Sequence, residues 1–277
     1  MTETFRTIVA LIGMPRSGTS WLGQLFDSSP EVAYRLEPIF SYAFKNVVDE
    51  HSTKEEYNQF FEGIYRSQDD FMLQTDKRIA GTYPVFIKND FQPFLVFKTT
   101  RFHNLLDPML SYLENLKMVC IVRHPCGSIC SWLNTPREFP TAADPKTEWR
   151  SGACRKTANE EFWGFNDWKV VTLKHLELHK KYPDRFKIIK YEDLVGDTSK
   201  VIADLYDFAG LTMSKQTYEF IKSCHLRHDD DSYSVFKDKK VVNNWRGILD
   251  ASIVSTILNE LKGTTLEQFT IDKSEPI

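Results

Sequence analysis

The sequence predicts an α/β fold, a single domain over residues 1–277 with a central parallel sheet flanked by helices, and three observations carry that prediction. Four runs, TIVALIG (7–13), FLVFKT (94–99), KMVCIV (117–122) and FKIIK (186–190), are apolar and β-branched without strict alternation. Strands covered on both faces of a parallel sheet read this way. Helical periodicity occupies the intervals at 19–28, 103–115, 160–180, 199–209 and 251–262, and strands that alternate with helices build parallel sheets. Third, the first run ends in a glycine-bearing turn that leads directly into a helix, the junction at which such sheets hold anions. A chain of 277 residues with 42% hydrophobic and 26% charged residues has the composition of a globular protein with a sizeable core.

In chain order, the first strand gives way at Gly13-Met14-Pro15 to a turn that closes at Gly18. Residues 38–92 then form a long excursion, helical at TKEEYNQFFEGIYRS and loop elsewhere. The strand 117–122 is followed by RHPCGSICSWL, which places Arg123 at the strand's end and Ser131 eight residues later on a helix. NTPREFPTAADPKTEWRSG (134–152) is rich in proline and polar residues. Long segments of this kind in compact domains serve as lids or binding loops, so 38–92 and 134–160 are expected to be binding and lid segments. HDDDSYSVFKDKKVVNN (228–244) is charged and expected to be mobile.

Composition excludes several classes. A formal net charge of −3 lacks the basic surplus of a nucleic-acid binder, so any anion site is local. No run approaches the roughly 18 to 20 apolar residues of a membrane span, and residues 1–14 lack a basic leader region and cleavage site. Cys120, Cys126, Cys130, Cys154 and Cys224 are odd in number and without CxxC or CxxH pairing. This argues against a zinc site or a disulfide framework and for free thiols in a reducing compartment. With Met1 in place, the expectation is a cytoplasmic protein. His175 and His179 share a helix face, but the glutamate of H-E-x-x-H is missing between them, so they are expected to be surface or partly packed residues rather than metal ligands.

The turn after the first strand carries the chemistry. Gly13 and Gly18 have the spacing of G-x-x-x-x-G-K-[ST], whose Lys reaches the β/γ-phosphates of a nucleoside triphosphate and whose Ser/Thr holds magnesium. Thr19 stands where that Lys would be, and the cation is Arg16 inside the loop. Backbone N–H groups, the hydroxyls of Thr19 and Ser20 and the positive end of the helix still make a phosphate cradle. A triphosphate–magnesium clamp is disfavoured. A P-loop phosphotransferase and a non-catalytic nucleotide-binding module are the competing readings.

PRSGTSWL (15–22) resembles the 5′-phosphosulfate-binding loop of sulfotransferases that use 3′-phosphoadenosine 5′-phosphosulfate (PAPS). An Arg at the place of Arg16, followed by GQLFDSSPEVAYRLEP, is similar to the carbohydrate and tyrosylprotein branch; the cytosolic branch usually carries Lys there. The resemblance implies a P-loop-like phosphosulfate-binding loop of Arg16, Ser17, Gly18, Thr19 and Ser20, with Trp21 stacking on the adenine. It implies a 3′-phosphate site of Arg123 and Ser131, completed by the Trp245-Arg246 element of NNWRGIL, and places Tyr191 of KYEDL near the adenine. PAPS is then the donor, and no metal is implied.

By the same resemblance, Glu37 of YRLEP is the base for the acceptor's proton, and Lys98 assists the leaving group together with Arg16. The cytosolic branch has a His close after that Lys. Here Thr99, Thr100 and Arg101 follow Lys98, and His103 comes five residues on, which favours Glu37 and leaves His103 as the alternative. The implied acceptor is a hydroxyl of a carbohydrate or glycoconjugate, with a small-molecule alcohol or a protein tyrosine as alternatives. Because the carbohydrate branch in animals is usually Golgi-anchored, a soluble fragment of a Golgi-lumen enzyme is the alternative to a cytoplasmic protein.

Overall fold

In the computed structural model, five parallel strands form one sheet in the order β2-β3-β1-β4-β5: β1 Thr7–Ile12, β2 Val32–Leu36, β3 Phe94–Thr99, β4 Leu116–Val122 and β5 Phe186–Lys190. The structure describes residues 5–224 and 242–271, so residues 228–241 of the charged segment lie outside the described residues. Sequence pattern predicts four of the strands. The fifth, β2, is an edge strand whose apolar run is broken by Arg35. That arginine is nonetheless buried, because its guanidinium donates to the carbonyl oxygens of Ile64 (2.6 Å), Tyr34 (2.8 Å) and Tyr65. Burial pushes it down to about 10.

Parallel pairing requires crossovers, and helices supply them. They are α1 Thr19–Asp27, α2 Lys54–Arg66, α3 Asp70–Leu73, α4 Thr75–Ile79, α5 Leu106–Tyr112, α6 Pro125–Leu133 and α7 Pro145–Ser151. Then follow α8 Gly164–Lys181, α9 Tyr191–Gly196, α10 Thr198–Ala209, α11 Lys215–Cys224, α12 Trp245–Ile248 and α13 Ala251–Leu261. Local chemistry sets their starts. Thr53 and Glu56 form a capping box on α2, Pro125 occupies the first turn of α6, and Asp197 caps α10, each satisfying or dispensing with a free N–H. The helix expected over 103–115 begins instead as a 3₁₀ turn, His103–Leu105, and α5 stops at Tyr112.

Alternate residues of each central strand feed two cores. Ile8, Ala10, Ile12, Leu95, Phe97 and Met118 pack toward α2, α5, α6 and α8, while Val9, Leu11, Val96, Val119 and Ile121 pack toward α1, α10 and α11. Both faces are therefore covered, as continuous apolar strands require. β1 lies in the middle, with β3 on one side and β4 on the other. The chain's direction of winding reverses there, and the crevice beyond the strands' carboxyl ends is where open α/β sheets bind ligands.

Candidate active site

The loop from Gly13 to Gly18 occupies that crevice, and both glycines have a steric reason. A Cβ on Gly13 would lie 2.6 Å from the Ile121 carbonyl oxygen, and one on Gly18, at φ +94°, would lie 2.5 Å from the Tyr191 ring. Arg16 adopts φ +68°, a left-handed conformation that is costly for a non-glycine residue and clusters at ligand clamps. α1 starts with no side-chain cap and no acidic residue in its first turn, which leaves its N–H groups and dipole to an anion. The Ser17 hydroxyl is buried without a hydrogen-bond partner, and a polar anion in the loop would satisfy it. Arg16 itself reaches toward α6: Nε donates to Ser131 Oγ (3.2 Å) and lies 3.7 Å from Glu138 Oε2.

Arg123, at the end of β4, braces the same loop. Its Nη1 donates to the Arg16 carbonyl oxygen (3.1 Å), and its guanidinium lies 4.6 Å from the centre of the Tyr191 ring. Gly127 makes room for it, since a Cβ there would meet Arg123 Nε at 3.0 Å and the Trp245 ring at 3.5 Å. Trp21 meets Tyr191 edge-on at 6.4 Å, and Trp245 stacks on His124 at 4.5 Å. Arg16, Ser131, Arg123, Tyr191, Trp21 and Trp245 are thus linked around the loop. Arg246 is exposed and lies over the Trp245 ring at 4.9 Å.

Glu37 follows β2 directly, and register places it beside the end of β3 because Leu36 pairs with Lys98. Its N–H donates to the Lys98 carbonyl oxygen (2.7 Å), yet its own φ is +42°. That turn aims the side chain inward, where Glu37 is only 5% exposed. Oε1 accepts from Lys98 Nζ (2.9 Å), the Thr100 N–H (3.0 Å) and Thr100 Oγ1 (2.7 Å), and Oε2 accepts from Thr99 Oγ1 (3.0 Å). Burial pushes the carboxyl up, but the Lys98 ammonium, the hydrogen bonds from Thr100 and Lys98 and the charge of Arg101 outweigh it and hold it below its ordinary value. Glu37 is therefore ionised at neutral pH. Sequence reasoning missed Thr99 and Thr100. Their part is visible only once β2 is seen to end against β3.

His103, the alternative base, is 1% exposed. Its Nδ1 lies 3.2 Å from His175 Nε2, and His175 Nδ1 lies 3.0 Å from Cys120 Sγ. Burial pushes His103 down to about 4 and His175 well below its ordinary value, so both rings are neutral at pH 7. The expectation that His175 is a surface or partly packed residue is corrected: α8 turns it fully into the core, against Phe186. His179 is exposed, as expected of a surface residue, and donates from Nδ1 to the Phe186 carbonyl oxygen (2.6 Å). All five cysteines are free thiols. Among the described residues, no group of three or more His, Cys, Asp or Glu side chains could hold a metal ion, and no helix is long and apolar enough to cross a membrane.

A parallel α/β protein whose first strand leads through a Gly13–Gly18 turn holding Arg16 into a helix, beside a buried Glu–Lys pair, is the class that fold and site define. The chain belongs to the sulfotransferase family, whose model, described as "Sulfotransferase family", matches residues 9–215. It is similar to carbohydrate sulfotransferase 5 of Mus musculus, with 24% identity over 285 residues that cover 78% of this chain and 67% of that protein. The crystal structure of mouse sulfotransferase SULT7A1 complexed with PAP has the same fold, at a TM-score of 0.56 and 13% identity over 96% of this chain and 88% of that one. The sulfotransferase domain from the Synechococcus PCC 7002 olefin synthase aligns at a TM-score of 0.53 and 18% identity, covering 98% of each chain. At such identities these two structures establish the fold.

Proposed function

We propose that this chain, as a single domain, transfers a sulfuryl group from PAPS to a hydroxyl of a carbohydrate or glycoconjugate, with Glu37 as the base. The observation that carries the reading is the buried, ionised Glu37 paired with Lys98 (2.9 Å) at the strand ends beside the Arg16 loop. The unpartnered Ser17 hydroxyl and the uncapped start of α1 support an anionic donor. The PAP named in the SULT7A1 structure supports PAPS as that donor, and the likeness to a carbohydrate sulfotransferase supports the acceptor class. The free thiols fit a reducing, cytoplasmic setting.

In this scheme residues Arg16 to Ser20 hold the 5′-phosphosulfate, Trp21 and Tyr191 flank the adenine, and Arg123, Ser131, Trp245 and Arg246 serve the 3′-phosphate. Glu37 takes the acceptor's proton as the hydroxyl oxygen bonds to sulfur. The bond from sulfur to the bridging phosphate oxygen breaks, and Lys98 and Arg16 hold the charge that this oxygen gains. The product nucleotide is 3′-phosphoadenosine 5′-phosphate (PAP). Segments 38–92 and 134–160, which begin beside Glu37 and carry Glu138 to Arg16, form the acceptor side.

A screen of glycans, small alcohols and tyrosine peptides with labelled PAPS tests the acceptor, with label expected on glycan hydroxyls. Glu37→Gln is expected to cut turnover by about 10² to 10⁴-fold, the usual worth of a general base, while PAP affinity stays nearly intact. A folded His103→Gln variant is expected to keep turnover. The reverse pattern, a silent Glu37→Gln and a crippled His103→Gln, rejects Glu37 as the base.

A further inference from the structure

Arg101 lies where three stretches of chain meet. Its guanidinium stacks on the Phe40 ring at 3.8 Å, and the Phe40 N–H closes a turn onto the Glu37 carbonyl oxygen (3.0 Å). Its Nη2 donates to Glu161 Oε1 (3.2 Å). The other oxygen of Glu161 accepts from the Thr157 N–H (2.7 Å) and Oγ1 (2.9 Å), and Arg155 stands 3.9 Å from Oε1. The side chains of Arg101 and Glu161 are 16% and 7% exposed, so this is no solvated surface bridge of negligible strength.

The backbone of Arg101 is tied to the base as well. Its N–H donates to Thr99 Oγ1 (3.3 Å), and that hydroxyl has one proton, which goes either to Glu37 Oε2 (3.0 Å) or to the Arg101 carbonyl oxygen (3.2 Å). We propose that Arg101 is a positioning residue that couples the 155–161 segment, through Glu161, to the turn carrying Glu37. The inference rests on Glu37 being the base. Contact of an acceptor with this segment then reaches the base through one side chain.

The ionisable groups that face Glu37 are Lys98 and Arg101 from β3 and its exit, His103 from the following turn and Tyr34 from β2. Arg101 divides its charge between two carboxylates. Removing that charge takes a cation away from Glu37. Removing the charge of Glu161 instead leaves more of Arg101 to Glu37 and subtracts a nearby anion. The two variants must therefore move the Glu37 titration in opposite directions, whereas a residue that merely held the fold together would disturb it the same way in both.

The test is titration of the Glu37 carboxyl by carbon NMR in the donor-free protein, for the wild type, Arg101→Gln and Glu161→Gln, with PAP affinity measured by calorimetry. Arg101→Gln is expected to raise the midpoint by about 0.5 to 1 pH unit, as loss of a nearby opposite charge does. Glu161→Gln is expected to lower it, and PAP affinity to stay within about twofold, since the pair touches none of the donor residues. Shifts of the same sign, or no shifts, in folded variants overturn the inference. If Arg101→Gln does not fold, Glu161→Gln decides alone: a downward shift supports the coupling, and any other result rejects it. Turnover of Glu37→Gln is a separate readout, and its being silent would remove the base role while opposite shifts would still establish the coupling.

Discussion

Asp27 and Glu37 are both carboxylates buried among cations, at 2% and 5% exposure. Asp27 ends α1 and meets Arg78 Nη2 at 2.6 Å and Lys88 Nζ at 2.8 Å; Lys88 also donates to the carbonyl oxygens of Asp27 and of Ser29 (3.0 Å). Glu37 meets one ammonium, one N–H and two hydroxyls at the ends of β2 and β3. The difference lies in what each cluster holds. Arg78 and Lys88 belong to the 38–92 excursion, so the Asp27 cluster fastens that excursion to the far end of α1. Glu37 sits at the near end, beside the Gly13–Gly18 loop, on a backbone with φ +42°. A buried charge is thus no mark of chemistry in itself; what sets Glu37 apart is its place at the carboxyl ends of parallel strands, where open α/β sheets bind ligands.

The largest stability effect is expected at Asp27. Asp27→Asn leaves two cations with no counter-charge, and breaking a buried pair in this way costs about 3 to 5 kcal/mol. Urea unfolding reads that loss directly. The folded fraction is expected to bind PAP with unchanged affinity, because neither Arg78 nor Lys88 contacts the loop. Loss of PAP binding at undiminished stability would erase the contrast with Glu37, whose replacement by Gln is expected to show first in turnover.

Arg123 sharpens the contrast from the donor side. Arg123→Ala is expected to weaken PAP by about 2 to 4 kcal/mol, the range for truncating one member of a desolvated charge pair. Adenosine 5′-phosphosulfate has no 3′-phosphate and is expected to lose little. Calorimetry with both ligands separates the possibilities. Equal losses would mean that Arg123 acts only through its bond to the Arg16 carbonyl oxygen (3.1 Å), as a structural brace like Arg78.

The strand-turn-helix that the proposed reading gives to the donor was legible as structure because it is local. One strand-turn-helix carries Gly13, Arg16 and Gly18, and one strand exit carries Arg123, so spacing along the chain is spacing in the site. The four apolar strands were legible for the same reason. What escaped depends on strand order. β2 hid behind Arg35, which three backbone carbonyls accept inside the core. Thr99 and Thr100 look like ordinary strand-end residues until β2 delivers Glu37 to them, and Arg101 meets Glu161 across 60 residues of sequence. His175 was misplaced because the polar residues around it on α8 conceal that its own face packs against β4 and β5.

The smallest expected effect tests a third buried group against the two carboxylates. His103 is pushed down from 6.5 to about 4 by burial, with a smaller contribution from Lys174. In the unfolded chain it takes a proton near 6.5, and in the folded protein only near 4, so between these values the unfolded state binds more protons. Stability is therefore expected to fall as pH falls from about 6.5 toward 4, with no further loss from this residue below. At about 1.4 kcal/mol per pH unit, the loss at pH 5 is about 2 kcal/mol. Glu37 behaves differently: its folded carboxyl lies below the ordinary 4.5, so the stability it contributes is present above that value and is lost only as pH falls below it. Urea unfolding between pH 7 and pH 5 thus isolates the histidines. The decline is expected to persist in Glu37→Gln and to shrink in a folded His103→Gln; an undiminished decline in His103→Gln would place the titrating group elsewhere and remove His103 from the comparison.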